Sequence, residues 1–228
     1  YGSINERRNQ LHEVIRLSGM NLIIDDTDHP LIIKVASIQS ARMQVYFIDN
    51  DDYFQRNADG VVDEDMRPDN DERSIFFVRG VMETVKKLRW TPDIIHCHDW
   101  QTGMIPVFLK TLYKDNPFYW GTKTIMTIHN LKFQGIWDIK TFKKFTNLPN
   151  SVFTPDKLEY KKDANMLKGG LVYADYITTV SDTYAREIQT PYFGEGLDGL
   201  LRARHLQLRG ILNGIDYNLS LIHISEPT

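Results

Sequence analysis

Two short apolar segments, each ending in polar side chains, constrain the fold more than any other feature of this sequence. The first begins at residues 93–95 and ends in the polar stretch before Gly103, and the second runs from Lys123 to Ile128. Both are too short for a helical repeat and rich in β-branched residues, which predicts buried parallel strands. Because functional groups in open α/β sheets gather at the carboxyl ends of the strands, we expect one shared crevice there. The side chains expected to line it are Asp99, Trp100, His129 and Asn130.

Helical and strand patterns alternate around these two segments. Apolar residues from Ile75 to Leu88 recur at helical spacing and lead directly into the first strand. A second helix is predicted over Thr102–Tyr113, and the same order returns later as helix, strand and helix. Such alternation predicts an α/β fold with a mostly parallel sheet flanked by helices. The later elements are Asn165–Ala174, Tyr176–Val180 and Ser181–Gln189, with Ser181 as the N-cap.

The remaining segments give weaker patterns. We predict a short helix over residues 11–18, closed by Gly19. The stretch 49–73 contains eight aspartates, and we predict that it is a long surface loop, mobile or lid-like. The other predicted elements are strands over 31–38, 45–48 and 210–212, and helices around 142–145, from Pro155 and over 197–205.

Composition excludes several classes of function. The chain has 27 Lys and Arg against 30 Asp and Glu, so it presents no basic field for nucleic acid. No apolar run approaches the ~20 residues needed to cross a bilayer, and no signal-peptide pattern opens the chain. Cys97 is the sole cysteine and lies in a predicted strand, so we expect a packed thiol and a cytoplasmic protein.

Two kinds of site fit the polar strand ends. His96 and His98 are two residues apart on a predicted strand, so both side chains lie on one face of it. Together with His129 they suggest a metal-dependent hydrolase. Carboxylate, amide and aromatic side chains together instead suit a sugar, because sugar hydroxyls need hydrogen bonds and sugar CH faces pack on rings. We favour the sugar site, since no further ligand is suitably placed to complete a metal site.

Five motifs in order resemble the amino-terminal domain of bacterial-type glycogen and starch synthases, over residues 1 to about 217. The resemblance implies the amino-terminal half of a GT-B glycosyltransferase, incomplete at both ends, with residues 218–228 a non-native tail. It implies transfer of glucose from ADP-glucose to the non-reducing end of an α-1,4-glucan with retention, without a cofactor. The motifs are HCHDWQTG (96–103), TIHNLKFQG (127–135), YADYITTVSDTYAREI (173–188), GLDGLL (196–201) and GILNGID (210–216).

The same resemblance assigns the site residues. Asp99 and His129 are the implied catalytic residues, with Asp99 on the acceptor side and His129 beside the transferred glucosyl unit. Gln101 occupies a position where the family has histidine, so an amide replaces a titratable group. The implied substrate-binding residues are Trp100, Gln101, Asn130 and Tyr53, and Phe54 is a further candidate for glucan contact.

Other interpretations remain alongside this one. Lys168-Gly169-Gly170 mimics the family's phosphate-binding loop, but it lies in a predicted helix, where the glycines would permit close packing. Because the donor loop and second domain of the family are absent from the sequence, we expect the 228-residue chain alone to be inactive. A non-catalytic glucan-binding module is the alternative to an enzyme.

Overall fold

A computed structural model describes residues 4–54 and 68–215 of the chain. Its amino-terminal part is an antiparallel sheet in which the long strand β3 pairs with three others. The predicted strands 31–38 and 45–48 are confirmed and lengthened. The strands are β1 (His12–Glu13), β2 (Met20–Ile24), β3 (Thr27–Ile38) and β4 (Met43–Asp49).

The helix predicted over residues 11–18 is wrong. This segment forms β1 and a turn that are fastened to β3: Val14 N donates to Ile33 O at 2.8 Å, and Ile33 N donates to Ser18 Oγ at 3.0 Å. Ile15, which belonged to the expected apolar face, is 82% exposed. An isolated helix this short is marginal in water, so backbone pairing with a distant strand determines the structure.

Two helices follow the antiparallel sheet. The first, α1 (Asp51–Phe54), and the start of the second, α2 (Asn70–Leu88), lie within the predicted loop 49–73, so both ends of that segment are regular structure. Residues 55–67 lie outside the described part. The helix expected over 75–88 is confirmed, and Ile75, Val78 and Met82 of its apolar face are fully buried.

The remainder of the chain alternates between strands and helices. It contains β5 (Ile94–His98), α3 (Met104–Lys110), β6 (Lys123–Ile128), β7 (Ile136–Asp138), α4 (Ile139–Thr146), β8 (Glu159–Tyr160), β9 (Asp163–Asn165), α5 (Met166–Tyr173), β10 (Tyr176–Thr179), α6 (Asp182–Glu187), α7 (Asp198–Ala203) and β11 (Leu208–Gly210).

A four-stranded parallel sheet in the order β11-β10-β6-β5 forms the framework of this part. It confirms the predicted neighbouring strands and the predicted α/β fold with a parallel sheet. One face is buried, with Cys97 at 1% exposure and Met126 and Ile177 at 0%. Burial raises the pKa of the Cys97 thiol to about 12, as expected of a packed cysteine. Strands β7, β9 and β8 form a small antiparallel sheet beside it.

Glycines let α5 approach the start of α3 closely. A Cβ on Gly170 would lie 2.9 Å from Gly103 Cα, and one on Gly103 would lie 2.3 Å from Met166 O. The predicted packing role of the glycine pair is therefore confirmed. Lys168 donates to the carbonyls of Pro155 and Glu159, at 2.5 Å each. Pro155 lies in a turn, so the helix predicted from it is wrong.

Local capping agrees with the sequence where it is described. The hydroxyl of Ser181 accepts from Tyr184 N at 2.9 Å at the start of α6, as predicted.

Within residues 4–54 and 68–215, no helix has both the length and the apolar character needed to span a bilayer.

Candidate active site

Two of the predicted site residues are in direct contact at the carboxyl ends of β5 and β6. Register places His98 beside Thr127, and Asp99 N donates to Thr127 O at 3.0 Å. The chain then turns so that Asp99 Oδ1 accepts a hydrogen bond from His129 N at 2.8 Å. Asp99 and His129 are thus brought together, with the carboxylate fixing the backbone of the second strand end.

The backbone of Asp99 is strained. Its φ of 55° and ψ of −173° lie in a region that is populated almost only by glycine. Such conformations cost about 1–3 kcal/mol and occur where the surrounding structure imposes them. Within the described residues, Oδ2 of Asp99 takes no protein hydrogen bond, so one carboxylate oxygen remains for a ligand.

Three histidines form a connected group at this sheet edge. His98 Nδ1 and His129 Nε2 are 2.9 Å apart, and the His96 and His98 ring centroids are 4.3 Å apart. His96 Nε2 contacts Thr127 Oγ1 at 2.6 Å. Burial lowers the pKa of His98, and the neighbouring histidines lower it further against the opposing effect of Asp99. These effects together favour the neutral form of the His98 ring.

Trp100 lies under the site rather than projecting from it. Its side chain is 5% exposed, and its ring centroid is 5.2 Å from that of Trp137. Gly135, at a φ of 63°, allows this packing, because a Cβ there would lie 2.5 Å from the Trp100 ring. Trp100 therefore contributes to the core while one edge borders a cavity.

That cavity lies beside the predicted acceptor-side residues and has a volume of about 270 Å³. Aromatic rings and planar polar groups line it together, a combination suited to a sugar ring. Arg73 and Phe77 were not predicted from the sequence, although their spacing on one face of α2 offered a signal. The lining residues are Phe54, Asn70, Arg73, Ser74, Phe77, Trp100 and Gln101.

Tyr53 points into the protein. It is 3% exposed, and its hydroxyl donates to a carboxylate oxygen of Glu72 and lies 3.1 Å from His29 Nε2. Burial raises the pKa of the Tyr53 phenol, and the bond to Glu72 raises it further. Its neighbour Phe54 borders the cavity instead, so contact between glucan and Tyr53 would require these bonds to break.

Asn130 is exposed beside His129 and shapes the turn after β6. Its Oδ1 accepts from Lys132 N at 3.0 Å, which leaves the side-chain amide to face solvent.

Across the described ranges, no three or more His, Cys, Asp or Glu side chains are grouped so that they could hold a metal ion.

A parallel sheet with a carboxylate and a histidine at adjoining strand ends places polar groups where α/β domains bind their ligands. The sequence-family model described as the starch synthase catalytic domain matches residues 1–203 of this chain. The chain belongs to this family.

Curated relatives agree with this assignment. Glycogen synthase of Lachnospira eligens is 56% identical over 174 residues, covering 76% of this chain and 35% of that protein. Glycogen synthase of Lachnoclostridium phytofermentans is 54% identical over 186 residues, covering 81% and 38% respectively. The chain thus spans little more than a third of the length of these relatives.

A solved structure supports the fold. The catalytic domain of Starch Synthase IV from Arabidopsis thaliana, bound to ADP and acarbose, matches with a TM-score of 0.77 and 27% identity. The match covers 92% of this chain and 42% of that one. The expected resemblance to glycogen and starch synthases, and the expected α/β half of a GT-B enzyme, are confirmed.

Proposed function

We propose that this chain is part of a glycogen or starch synthase that transfers glucose from ADP-glucose to the non-reducing end of an α-1,4-glucan, with retention. The observation that carries the proposal is the hydrogen bond from His129 N to Asp99, the residue that directly precedes the cavity-lining Trp100 and Gln101. The binding of ADP and acarbose by the matched Arabidopsis structure supports a nucleotide-sugar donor and a glucan acceptor.

In the proposed reaction the bond between glucose C1 and the donor phosphate oxygen breaks, and a bond forms from C1 to the acceptor O4. The departing phosphate oxygen of ADP takes the proton that the acceptor hydroxyl loses. Asp99 would receive a hydrogen bond from a sugar hydroxyl on Oδ2 while Oδ1 holds His129 N. A hydrogen bond to a charged group contributes about 1.5–3 kcal/mol, enough to orient a glucan end.

His129 and Asn130 would contact the transferred glucosyl unit. Both are exposed at the end of β6, and the Asp99 bond fixes the His129 backbone from which the ring extends. Groups preorganised in this way favour a transition state more than a ground state, because they need not reorganise during reaction. The buried Cys97 thiol fits the proposed cytoplasmic location.

The cavity lining would bind the acceptor. The Phe54 and Trp100 rings offer apolar surface to a sugar CH face, and Gln101 offers an amide to its hydroxyls. Arg73 stacks 5.5 Å from the Phe54 ring and donates to Tyr53 O at 3.0 Å, so these contacts hold the lining in place.

The test is a chimera in which residues 1–203 replace the matching segment of the Lachnospira eligens glycogen synthase. Glucose incorporation into glycogen is measured for the chimera and for Asp99→Asn and His129→Ala. Loss of one charged hydrogen bond predicts a fall in kcat/KM of about 10- to 100-fold for Asp99→Asn. Asp93→Asn, at the exposed opposite end of β5, is the matched control and should leave activity unchanged.

Turnover equal to that of the unsubstituted chimera in Asp99→Asn and His129→Ala would overturn these assignments. Loss of glycogen affinity with the turnover number retained would instead favour a glucan-binding role for the two residues.

A further inference from the structure

We propose that His98 is a positioning residue for His129, fixing the orientation of its ring and which ring nitrogen bears the proton. The role of His129 in catalysis rests on the function proposed above, but the contact between the two histidines does not. His98 Nδ1 lies 2.9 Å from His129 Nε2, and the ring centroids are 5.2 Å apart.

The backbone on both sides of this contact is fixed. Thr102 Oγ1 accepts from His98 N at 2.7 Å and donates to His98 O at 2.8 Å, so one hydroxyl holds both backbone groups of His98. His129 N is held by Asp99 Oδ1, and Asp99 N is held by Thr127 O. The separation of the rings is therefore imposed by the sheet and its turns.

The contact between His98 Nδ1 and His129 Nε2 links the positions of the protons on the two rings. Two imidazole nitrogens at hydrogen-bond distance attract each other only when one has a proton and the other does not. If His98 Nδ1 donates, His129 has its proton on Nδ1, and if His98 Nδ1 accepts, His129 has its proton on Nε2. In both cases the tautomers of the two rings are coupled, and Nδ1 of His129 is the nitrogen left to face a ligand.

The surroundings of His98 favour the neutral ring that such a bond needs. Burial lowers the pKa of His98, as do His96 and His129, whereas Asp99 acts in the opposite direction. His96 also packs against the His98 ring, with centroids 4.3 Å apart, and its Nε2 contacts Thr127 Oγ1. The His98 ring thus contacts two other imidazole rings, and only one of them belongs to the proposed site.

The contact is tested by nuclear magnetic resonance on the ¹⁵N-labelled 228-residue chain. The scalar coupling between His98 Nδ1 and His129 Nε2 across the hydrogen bond is measured, and long-range ¹H–¹⁵N spectra give the His129 tautomer. The variants are His98→Asn, whose γ-amide can replace one hydrogen bond near the Nδ1 position, and His98→Leu, which cannot. His96→Leu, on the same face of β5, is the matched control.

We expect the coupling in the unsubstituted chain and in His96→Leu. In His98→Leu the His129 ring should become a mixture of tautomers, and His98→Asn should restore a single tautomer. Absence of the coupling, or a His129 tautomer unchanged in His98→Leu, would overturn the proposal. If His98→Leu does not fold, the coupling in the unsubstituted chain and the tautomer in His98→Asn decide the question.

An inactive chimera would contradict the proposed function and leave these spectra unaffected. Conversely, an active chimera with no coupling between the rings would retain the function and reject the positioning role. The two ideas therefore fail separately.

Discussion

Asp99 combines a backbone conformation that suits glycine with a carboxylate that accepts a hydrogen bond from His129 N. Its φ of 55° is unfavourable for any residue with a Cβ, yet its Oδ1 fixes His129 N. The sequence predicted Asp99 as a site residue from its position after a strand. Its strain and its bond to His129 could not be predicted, because both depend on how β5 and β6 are aligned.

Asp99→Ala and Asp99→Gly should separate the side-chain contribution from the backbone strain. Both variants lose the acceptor for His129 N, a loss of about 1–2 kcal/mol in unfolding free energy. Glycine relaxes the backbone, so Asp99→Gly should be about 1 kcal/mol more stable than Asp99→Ala, after allowance for its unfolded-state entropy. Urea denaturation measures the difference.

Asp93→Ala, at the exposed start of β5, serves as the control for loss of a carboxylate and should change stability little. An Asp99→Gly variant that is less stable than Asp99→Ala by about 0.5–1 kcal/mol, the entropic cost of glycine alone, would show that the backbone is not strained.

Elements pack closely around the site because of glycines at helix contacts. Gly103 follows the short turn containing Trp100 and Gln101, and it touches the start of α5. The sequence indicated that Gly170 would permit close packing. It did not indicate the partner, since Gly103 and Gly170 are far apart in the chain and meet only when α3 and α5 pack.

Gly103→Ala should destabilise the chain by about 1–3 kcal/mol, because its Cβ would lie 2.3 Å from a backbone oxygen, Met166 O. Gly199→Ala is the matched control: its Cβ would meet only Arg202 Nη2, at 3.8 Å, within helix α7. It should stabilise by about 0.5–1 kcal/mol through helix propensity. Thermal and urea denaturation provide both values, and a neutral Gly103→Ala would refute the close contact.

The carboxylate of Asp175 is bonded to Thr124 in β6 and Lys110 in α3, and its ionisation makes the stability of the chain depend on pH. Burial acts to raise the pKa of Asp175, but hydrogen bonds from Thr124 N at 2.8 Å and Lys110 Nζ at 3.3 Å outweigh it, so the net pKa is lowered. A lowered folded-state pKa means that the stabilisation is present above the unfolded pKa and is lost as pH falls through the folded value.

Asp175→Asn should therefore be less stable than the unsubstituted chain at pH about 7, and the difference should shrink as pH falls below about 4. Urea denaturation over this range tests it, with Asp115→Asn, on an exposed residue, as the control. A difference that stays constant with pH would exclude ionised Asp175 as its cause.

At the scale of the whole molecule, an antiparallel amino-terminal unit and a parallel sheet are joined by α1 and α2, and the cavity lies where these helices meet the turn after β5. Phe54 from α1, Arg73 from α2 and Trp100 from that turn become neighbours only there. Their neighbourhood depends on the relative placement of three segments, which no local pattern encodes.

We predict that the 228-residue chain alone does not transfer glucose. The chain spans 35% of the Lachnospira eligens enzyme and 42% of the Arabidopsis chain, so we expect the rest of such proteins to supply part of each substrate pocket. Incorporation of labelled glucose from ADP-glucose into glycogen is measured beside the chimera. Turnover by the isolated chain above a heat-inactivated sample would contradict this prediction.

The sequence by itself determined the local features of this protein. The lengths of β5 and β6, the Ser181 cap and the burial of Cys97 follow from the order of apolar, β-branched and capping residues, whose effects act over a few neighbours. The polar residues after each strand followed from the same patterns, which is why Asp99 and His129 were predicted to share one crevice.

Only the tertiary structure decided how those features meet. It placed Tyr53 inward and Phe54 at the cavity, turned residues 11–18 into a partner of β3, and set His98 against His129. Each of these outcomes depends on hydrogen bonds and contacts between segments far apart in the chain. Their free energies exceed weak local preferences once the core has formed, so the local pattern alone cannot specify them.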